Sequence, residues 1–534
     1  MLLTHGRIYT LDARGSVVDS LVIRDGRIVF AGRRPDVNLP AGERVLDLGG
    51  RAVLPGLVDA HAHLMHLARA RLSLDAAGIL SEATIAGLVA EAAARTPAGE
   101  WLTGRGWDQT RWPGQRFPTR GSLDRVASRH PVALTRVDGH ATWANSAALA
   151  AAGIGRHTAD PPGGRILRDP TGEPTGLLVD AAQRLVQDIV PLPSPERFDQ
   201  AVREAIAQCL AKGLTGIHEM GAELYALAAY RRLIERGQFP FRNYAAVRAA
   251  HAATWEHALA HGPETIGDGR LVIRAMKLVA DGALGSRGAA LHAPYCDDPA
   301  NTGLVLLPVE ELERRTRVAA ARGFQVCVHA IGDRANTLTL DVFERVLPTL
   351  GRRDARFRVE HAQVLTDADI PRFRRLGVLP SMQPTHCTSD MRWAPERLGP
   401  ERLRGAYAWR SLLATGVVIP GGSDFPVEDP NPFHGIYAAV TRRPLSGEDP
   451  GWQPEQRMTR DEAVRAFTTW NARAAHQEAE LGSLEPGKRA DVVVLSEDVW
   501  ACPEARIKDI HPVLTMVGGE VVFQACDPAH APPW

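Results

Sequence analysis

The sequence predicts an α/β fold, a (β/α)8 TIM barrel joined to a small β-sandwich domain that both chain termini form. Two observations indicate this fold. Short β-type runs alternate with longer helical patterns through the interior, and both ends of the chain are rich in short strand patterns bounded by turns. The competing arrangement is a doubly wound open sheet. With 534 residues, 45% of them hydrophobic, the chain is long enough to bury a large core or several smaller ones.

The two ends of the chain carry strand patterns of the same kind. Asp25-Gly26 is a hairpin signal between two of them, and Gly518-Gly519 separates two others. The predicted strands of the ends are 7–10, 20–24, 27–30, 491–495, 513–517 and 521–523. We therefore expect residues 1–52 and 480–534 to meet in one small β-domain.

Residues 53–479 are predicted to form the barrel domain, with an insertion at about residues 65–190. Its predicted strands are 53–61, 132–137, 215–219, 272–279, 325–329, 356–361, 378–382 and 417–421. Its predicted helices are 198–212, 222–236, 309–322, 333–350, 367–376 and 460–476. Eight strands alternating with helices fit a closed barrel.

Charge and composition limit the partners. Lys plus Arg and Asp plus Glu both number 62, so the formal net charge is zero, which argues against binding to nucleic acid or to an anionic membrane. No apolar run approaches the roughly 18–20 residues that span a bilayer, and the N-terminus lacks a secretory signal pattern. The six cysteines form no C-x-x-C pair, as expected for reduced thiols. We expect a cytoplasmic protein that acts on a small molecule and forms a homodimer, the commonest assembly.

The sharpest motif is the segment 54–63, Leu-Pro-Gly-Leu-Val-Asp-Ala-His-Ala-His. In an extended chain residues i and i+2 point to the same face, so His61 and His63 can present two imidazoles to one ion at the end of a strand. The alternative is a pair of polar residues in a surface turn. The apolar run before the histidines argues against that alternative, because polar groups at the end of a buried strand need partners.

Three later strands end in the same style, with His329, His361 and Asp424. A single histidine at a strand end is usually an ordinary hydrogen-bonded loop residue. Four histidines and an aspartate at successive strand ends instead indicate a metal site, because barrel active sites collect at the C-terminal ends of several strands. Imidazole and carboxylate ligands without a thiolate suit zinc, with manganese, iron or nickel as substitutes.

Lys277 lies among apolar neighbours on a predicted strand. Burial lowers the pKa of a lysine, and the neutral amine can then add carbon dioxide to give a carbamate, N6-carboxylysine, that bridges two cations. The alternatives are a lysine that reaches the surface and one that pairs with Asp281. The pattern alone does not decide between them.

With these motifs the sequence resembles the amidohydrolase superfamily, and the middle of the chain is similar to its YtcJ-like branch, which includes N-substituted formamide deformylases. The motifs that carry the second resemblance lie at residues 104–108, 138–146, 281–287 and 381–386. The resemblance covers essentially the whole chain. It implies that His61, His63 and Asp424 bind one metal ion, that His329 and His361 bind a second, and that carboxylated Lys277 bridges the two. Glu219 is the rival of Lys277 for the bridging position.

The functional hypothesis is hydrolysis of a C–N amide-type bond in an N-acyl or N-formyl amine, by a hydroxide that the metal activates. Asp424 is the proposed general base, which later delivers its proton to the departing nitrogen. Five residues are candidates for binding substrate: Asp108, His140, His218, Arg287 and His386. His140 or His386 could hold the developing oxyanion. Asp108 and Arg287 equally fit an Asx turn and a loop salt bridge, and His218 equally fits a supporting position behind the ligands.

Two other functions are consistent with the same pattern. The metal site could act on a lactone, a phosphoester or a cyclic C–N bond. The chain could also be a non-catalytic scaffold that kept the fold and lost the site. The intact set of predicted ligands argues against the scaffold, because a degenerate relative is expected to lack one or more of them.

Overall fold

The computed structural model describes residues 1–33, 42–137, 139–351, 354–447 and 451–525. The chain divides into two compact units. The first comprises Met1–Met65 and Val202–Trp534, and the second comprises His66–Ala201.

The centre of the first unit is a nearly closed sheet of seven parallel strands, so the fold is mixed α/β with a barrel-like core. In order of pairing the strands are Leu57–Ala62, Leu214–Ala222, Arg242–Arg248, Leu271–Val279, Gln325–Ala330, Arg358–His361 and Leu379–Ser381. A short strand, Glu264–Ile266, pairs antiparallel with Leu271–Val279. The parallel order brings the C-terminal ends of all seven strands to one face.

The gap between the first and last strands is bridged by the backbone of residues 420–422, where the sequence predicts an eighth strand. Met382 N donates to Pro420 O at 2.9 Å, and Gly422 N donates to Met382 O at 3.1 Å. On the other side Ala60 N donates to Gly421 O at 2.9 Å. The segment forms an isolated bridge, Met382 with Gly421, in place of the predicted regular strand.

The sequence analysis placed one strand in the barrel that lies elsewhere and missed one strand that lies there, so the number of barrel strands is unaffected by these two errors. The predicted strand 132–137 is Val132–Arg136, which lies in the sheet of the second unit. The barrel instead contains Arg242–Arg248, a buried strand that the sequence analysis missed because its first two residues are polar. Arg242 forms a buried ion pair with Asp491 at 2.5 Å, so the polar side chain is satisfied inside the protein.

The predicted strand 53–61 is also two strands. Ala52–Pro55 belongs to a terminal sheet and Leu57–Ala62 to the barrel. Gly56 separates them, and a β-carbon there would lie 2.3 Å from Thr215 Oγ1, so only glycine fits between the two sheets.

Helices connect the barrel strands, and each predicted helical segment is largely helical. Other helices of this unit, such as Ala252–His261 and Pro432–Thr441, were not predicted. The predicted helix 460–476 is two helices, because the backbone leaves helical geometry at Thr468. The helices of the first unit, including the one that enters it from the second, are Pro195–Leu210, Leu224–Glu235, Ala252–His261, Val309–Ala321, Asp333–Val346, Ile370–Leu376, Pro384–Asp390, Ala394–Leu403, Trp409–Ala414, Pro432–Thr441, Arg460–Ala466 and Thr469–Ala474.

Strands from the ends of the chain form two further sheets of the first unit, and the second of these sheets combines strands from both ends. One sheet has the order Arg27–Gly32, Ser20–Arg24, Leu2–Thr4 and Val45–Asp47. The other has the order Glu520–Gln524, Pro512–Val517, Val492–Leu495, Ala52–Pro55, Arg7–Tyr9 and Val17–Val18. Apolar side chains of both sheets, such as Leu21 and Val492, share one buried cluster. The sandwich arrangement and its domain limits stay predictions.

The second unit has a mixed six-stranded sheet and its own apolar core. The strand order is Gly164–Arg168, Pro174–Asp180, Ala141–Ala144, Val132–Arg136, Leu102–Trp107 and Ser73–Asp75. Its α-helices are Glu82–Arg95, Arg120–Val126, Ser146–Ala151 and Arg184–Gln187, and Leu64–Arg71 leads into it. Trp107, Trp112 and Trp143 are buried together with ring centroids 6.1–6.3 Å apart, which forms the centre of this core.

Two further findings concern the described residues. Five cysteines lie in the described ranges, and all five are free thiols. No helix within these ranges combines the length and the apolar character that crossing a bilayer requires.

Candidate metal centre

Two distant stretches of the first unit meet at the predicted H-x-H motif. His61 is the penultimate residue of the strand Leu57–Ala62, and His63 follows that strand directly. Asp424 lies beside both histidines, two residues after the segment that bridges the barrel. Asp424 Oδ1 is 2.9 Å from His63 Nε2 and 3.6 Å from His61 Nε2. The backbone N of Asp424 donates to His61 O at 2.7 Å, which fixes the carboxylate against the histidines.

His361 and His329 complete the cluster at the ends of two neighbouring strands. The ring of His361 lies 4.7 Å from that of His61 and 4.5 Å from that of His329, measured between centroids. Ligand atoms of His61, His361 and Asp424 all lie within 4.8 Å of one another. The structure therefore brings the five predicted imidazole and carboxylate ligands together, although their roles as ligands stay predictions.

The donors fit a divalent metal ion. His329 Nε2 is buried without a hydrogen-bond partner, and an unsatisfied buried nitrogen is costly unless something fills the space beside it. Burial, and after it the charge of Lys277, lowers the pKa of His61 to about 4 and that of His329 to about 3. Both imidazoles are thus neutral at pH 7, the state that binds a metal. Two or more imidazoles with a carboxylate are a donor set typical of zinc.

The Nδ1 atoms of two of these histidines are held by neighbouring side chains. His61 Nδ1 lies 2.6 Å from Glu360 Oε2, and His361 Nδ1 lies 2.7 Å from Gln383 Oε1. When Nδ1 donates to such an acceptor, Nε2 keeps its lone pair for a metal. Burial alone would raise the pKa of Glu360, but the charges of Arg358 and then of His61 hold it well below its usual range. Glu360 therefore stays an acceptor for His61.

Lys277 and Glu219, the rivals for the bridging position, have different surroundings. Lys277 is 7% exposed, so the alternative of a surface lysine is wrong, and its Nζ lies 3.5 Å from His61 Nε2. Burial lowers its pKa from the usual value. Glu219 instead accepts hydrogen bonds from Met65 N, Tyr230 OH and Asn243 Nδ2 at 2.7–2.9 Å, which occupy both its oxygens. The contacts favour Lys277 as the group beside the cluster.

The sequence analysis missed a second layer of polar residues around the cluster. Asp59 accepts hydrogen bonds from His61 N at 2.9 Å and from Ser423 Oγ at 2.6 Å, and so connects the first strand to the bridging segment. Glu360 and Arg358 carried a usable signal, because two charged residues within a buried strand must be paired. No local signal marks Asp59, whose partner is 364 positions away.

Gly422 allows this close contact, and replacing it by alanine is expected to damage the site. A β-carbon there would lie 2.5 Å from Asp59 Oδ1 and 2.5 Å from His61 N, closer than atoms can approach. We expect Gly422→Ala to lower the free energy of unfolding by about 1–3 kcal/mol, the usual cost of overpacking, and to lower bound metal. Urea unfolding and elemental analysis measure the two effects.

The matched control is Gly87→Ala in the helix Glu82–Arg95, where a β-carbon meets no atom within 4 Å. Alanine is the better helix former, so this variant should be as stable as the wild type or up to about 1 kcal/mol more stable. If Gly422→Ala matched Gly87→Ala in stability and metal content, the close packing at Gly422 would contribute to neither stability nor metal binding.

The three substrate-binding candidates of the first unit lie in different surroundings. His386 Nε2 is 3.8 Å from Asp424 Oδ2, is buried without a hydrogen-bond partner, and belongs to a ring stacked on that of His361 at 6.0 Å. His218 is buried, with Nδ1 2.9 Å from Arg358 Nη1, so it fits the supporting position. Arg287 forms the alternative loop salt bridge, to Asp297 at 2.9 Å.

The other two candidates lie in the second unit. Asp108 accepts a hydrogen bond from Thr110 N at 3.1 Å, the predicted Asx turn, and forms an ion pair with Arg136 at 3.2 Å. His140 is exposed, with Nδ1 2.9 Å from Asp180 Oδ1. Their contact with substrate stays a prediction.

Comparison with known proteins agrees with this geometry. The model of the amidohydrolase family matches residues 44–523. YtcJ of Bacillus subtilis is 35% identical over 97% of this chain and 98% of its own length, and the N-substituted formamide deformylase of Arthrobacter pascens is 29% identical over 98% of each. The crystal structure of a metal-dependent hydrolase of Pyrococcus furiosus superposes with a TM-score of 0.80 at 29% identity, covering 93% of this chain and 99% of that one. The chain belongs to the amidohydrolase family.

Proposed function

We propose that this amidohydrolase hydrolyses a C–N amide-type bond in a small N-acyl or N-formyl amine. The observation that carries the proposal is the convergence of His61, His361 and Asp424, whose ligand atoms lie within 4.8 Å of one another at the C-terminal face of the barrel-like sheet. The formamide deformylase of Arthrobacter pascens, similar over 98% of both chains, supports the choice of bond.

The residues that would hold a first metal ion are His61, His63 and Asp424, and those that would hold a second are His329 and His361. We propose zinc, because imidazole and carboxylate donors without a thiolate suit it. A divalent ion in this position supplies Lewis acidity, which lowers the pKa of a water molecule and polarises a carbonyl group.

The side chains of the cluster divide the proton transfers. Asp424 accepts the proton of the attacking water as the new C–O bond forms, then gives it to the nitrogen as the C–N bond breaks. His63, 2.9 Å from its Oδ1, holds the carboxylate in place. His386 lies 3.8 Å from the other oxygen of Asp424 and can donate a hydrogen bond from Nε2 to the substrate carbonyl oxygen as negative charge develops there.

Exposed apolar side chains lie next to the residues of the site. Val279 is 38% exposed, follows Lys277 by two positions and pairs in register with His329. Val427 is 70% exposed, and its N donates to Asp424 O. Such side chains favour a substrate with an apolar group beside the scissile amide.

The test is a panel of N-formyl and N-acyl amines with apolar substituents, assayed on protein loaded with zinc and on protein treated with chelator. The proposal expects release of free amine that requires the metal. The same assay with lactones, phosphoesters and cyclic amides tests the alternative that the metal site acts on one of those bonds. Preferential turnover of one of these classes would establish that alternative. Less than one equivalent of tightly bound metal, with no turnover of any class, would indicate the scaffold.

Lys277 is proposed to carry the bridging carbamate, formed when its neutral amine adds carbon dioxide and releases a proton to solvent. We expect a carbamate signal in 13C NMR after incubation with labelled bicarbonate, and its loss in Lys277→Ala. We also expect that variant to bind less metal and to regain part of both metal and activity with a short carboxylic acid. The carbamate signal can be assigned to one lysine by substitution, because the chain has four lysines: Lys212, Lys277, Lys488 and Lys508.

Lys212→Ala is the matched control and should keep the carbamate signal. A signal that persisted in Lys277→Ala, or full metal content in that variant without added acid, would contradict the assignment.

A further inference from the structure

We propose that the second unit carries a separate binding site for a small organic carboxylate with an aromatic or aliphatic body. The site is a cavity of about 380 Å³ lined by residues between Arg69 and Arg197, all within that unit. Its volume lies in the range of roughly 300–1,000 Å³ typical of small-molecule sites. The inference does not depend on the function proposed for the metal centre.

One part of the cavity wall is apolar. Leu72, Trp101, Val190 and Leu192 line it, and Leu192 is 51% exposed. Trp101 is half-buried and packs against an apolar cluster of the second unit, so its indole is held in place. An exposed leucine beside a fixed indole gives a surface that an apolar ligand body would cover.

The wall at residues 190–193 is preformed by its sequence. Pro191 and Pro193 alternate with Val190 and Leu192, and proline fixes φ near −65°. A wall that is already rigid loses little conformational freedom when a ligand binds, so more of the contact energy is retained as affinity.

The charges of the lining leave one cation uncompensated. Glu100 forms an ion pair with Arg197, which neutralises both. Arg69 lines the same cavity, and across the described ranges no ion pair or hydrogen bond is found for its guanidinium. A guanidinium binds a carboxylate through two parallel hydrogen bonds, and Thr103 and Ser194 offer further polar groups at the wall.

One uncompensated arginine among apolar side chains selects the ligand class. A phosphate ester carries nearly two charges and binds best between several cations, whereas a carboxylate needs one. An apolar cavity also favours a ligand whose remaining atoms are hydrocarbon. The geometry and the charge therefore point to the same ligand, a monocarboxylate with an apolar body.

The test is isothermal titration of the intact protein with phenylacetate, and with 2-phenylethanol as the neutral probe of similar shape. We expect saturable binding of phenylacetate and binding of the alcohol at least about tenfold weaker, because a hydrogen-bonded charge pair is lost. Arg69→Met should weaken phenylacetate binding by a similar factor. Arg69 is exposed at the end of the helix Leu64–Arg71, so this variant should fold as the wild type does, which thermal unfolding checks.

Arg95→Met is the matched control, since Arg95 is also exposed at a helix end of the second unit but does not line the cavity. It should bind phenylacetate as the wild type does. Trp101→Leu provides a second variant and should also weaken binding. Absence of saturable binding, equal binding of the two probes, or equal binding by Arg69→Met and the wild type would each overturn the proposal, the last because phenylacetate would then bind elsewhere.

Discussion

Replacing Asp424 by asparagine is expected to lower kcat/KM for the best amide substrate by about 10²–10⁴-fold, the usual contribution of a positioned general acid–base group. Asparagine keeps the shape of the side chain but neither accepts a proton from water nor carries the negative charge that a metal ion favours. His61 and His63 lie 3.6 and 2.9 Å from Asp424 Oδ1, so the change reaches the centre of the cluster.

The loss should fall mainly on kcat, because the proton transfers belong to the transition state and the substrate contacts are unchanged. Steady-state kinetics on zinc-loaded protein gives kcat and KM separately, and elemental analysis shows whether the metal remains. If the metal is also lost, excess zinc should restore its occupancy without restoring the rate.

Asp429→Asn is the matched control in the same segment. Asp429 is exposed, and its Oδ1 accepts a hydrogen bond from Asn431 N at 2.9 Å, a bond that the amide oxygen of asparagine can also accept. This variant should keep wild-type activity. Full activity of Asp424→Asn would show that the proton shuttle has been assigned to the wrong residue.

The fold was predictable where the pattern of the sequence is local. Alternating strand and helix patterns indicated the mixed α/β core, and most strands lie at the predicted positions. The pattern could not assign the run at 132–136 to its sheet, because a short apolar strand has the same periodicity in a barrel and in an inserted unit. Arg242–Arg248 was missed because its first two residues are polar, and only the folded structure shows that Asp491 and Glu219 satisfy them.

The centre of the candidate site was predictable because its residues stand at the ends of strands. Parallel order brings the ends of the strands with His61 and His361 to one face whatever the loops do. Asp424 joins them because residues 420–422 hydrogen-bond to the backbone of the first strand and to the backbone next to the last strand. The supporting residues could not be predicted in the same way. Glu360 meets His61 across 299 positions, and only the folded barrel shows which histidine it holds.

Arg358 shows how strongly the site depends on these supporting residues. It is fully buried, and its Nη2 donates to Ala60 O at 2.6 Å and to Ser381 Oγ at 2.8 Å. Its Nε lies 2.7 Å from Glu360 Oε1, within an ion pair of which both members are fully buried. One guanidinium thus connects the first strand of the sheet to the last two and neutralises the carboxylate that holds His61.

Replacing Arg358 by methionine is expected to lower the free energy of unfolding by about 3–5 kcal/mol, because Glu360 is left as a buried charge without its cation. Metal affinity should fall by about 10–100-fold, since the support of His61 is loosened. Urea unfolding with and without chelator separates the two effects. Arg375→Met is the control, because Arg375 is an exposed residue paired with Glu344 at 2.9 Å, and its loss should cost about 1 kcal/mol or less.

The double variant Arg358→Met with Glu360→Gln decides whether the loss of stability comes from the unpaired charge or from the lost hydrogen bonds of Arg358. Removing both charges of a buried pair is often nearly neutral, whereas removing one is costly. The double variant should therefore be more stable than Arg358→Met alone, although its metal affinity should stay low because a glutamine amide is a weaker acceptor for His61 Nδ1 than a carboxylate. Equal stability of the single and double variants would instead place the cost in the lost hydrogen bonds to Ala60 and Ser381.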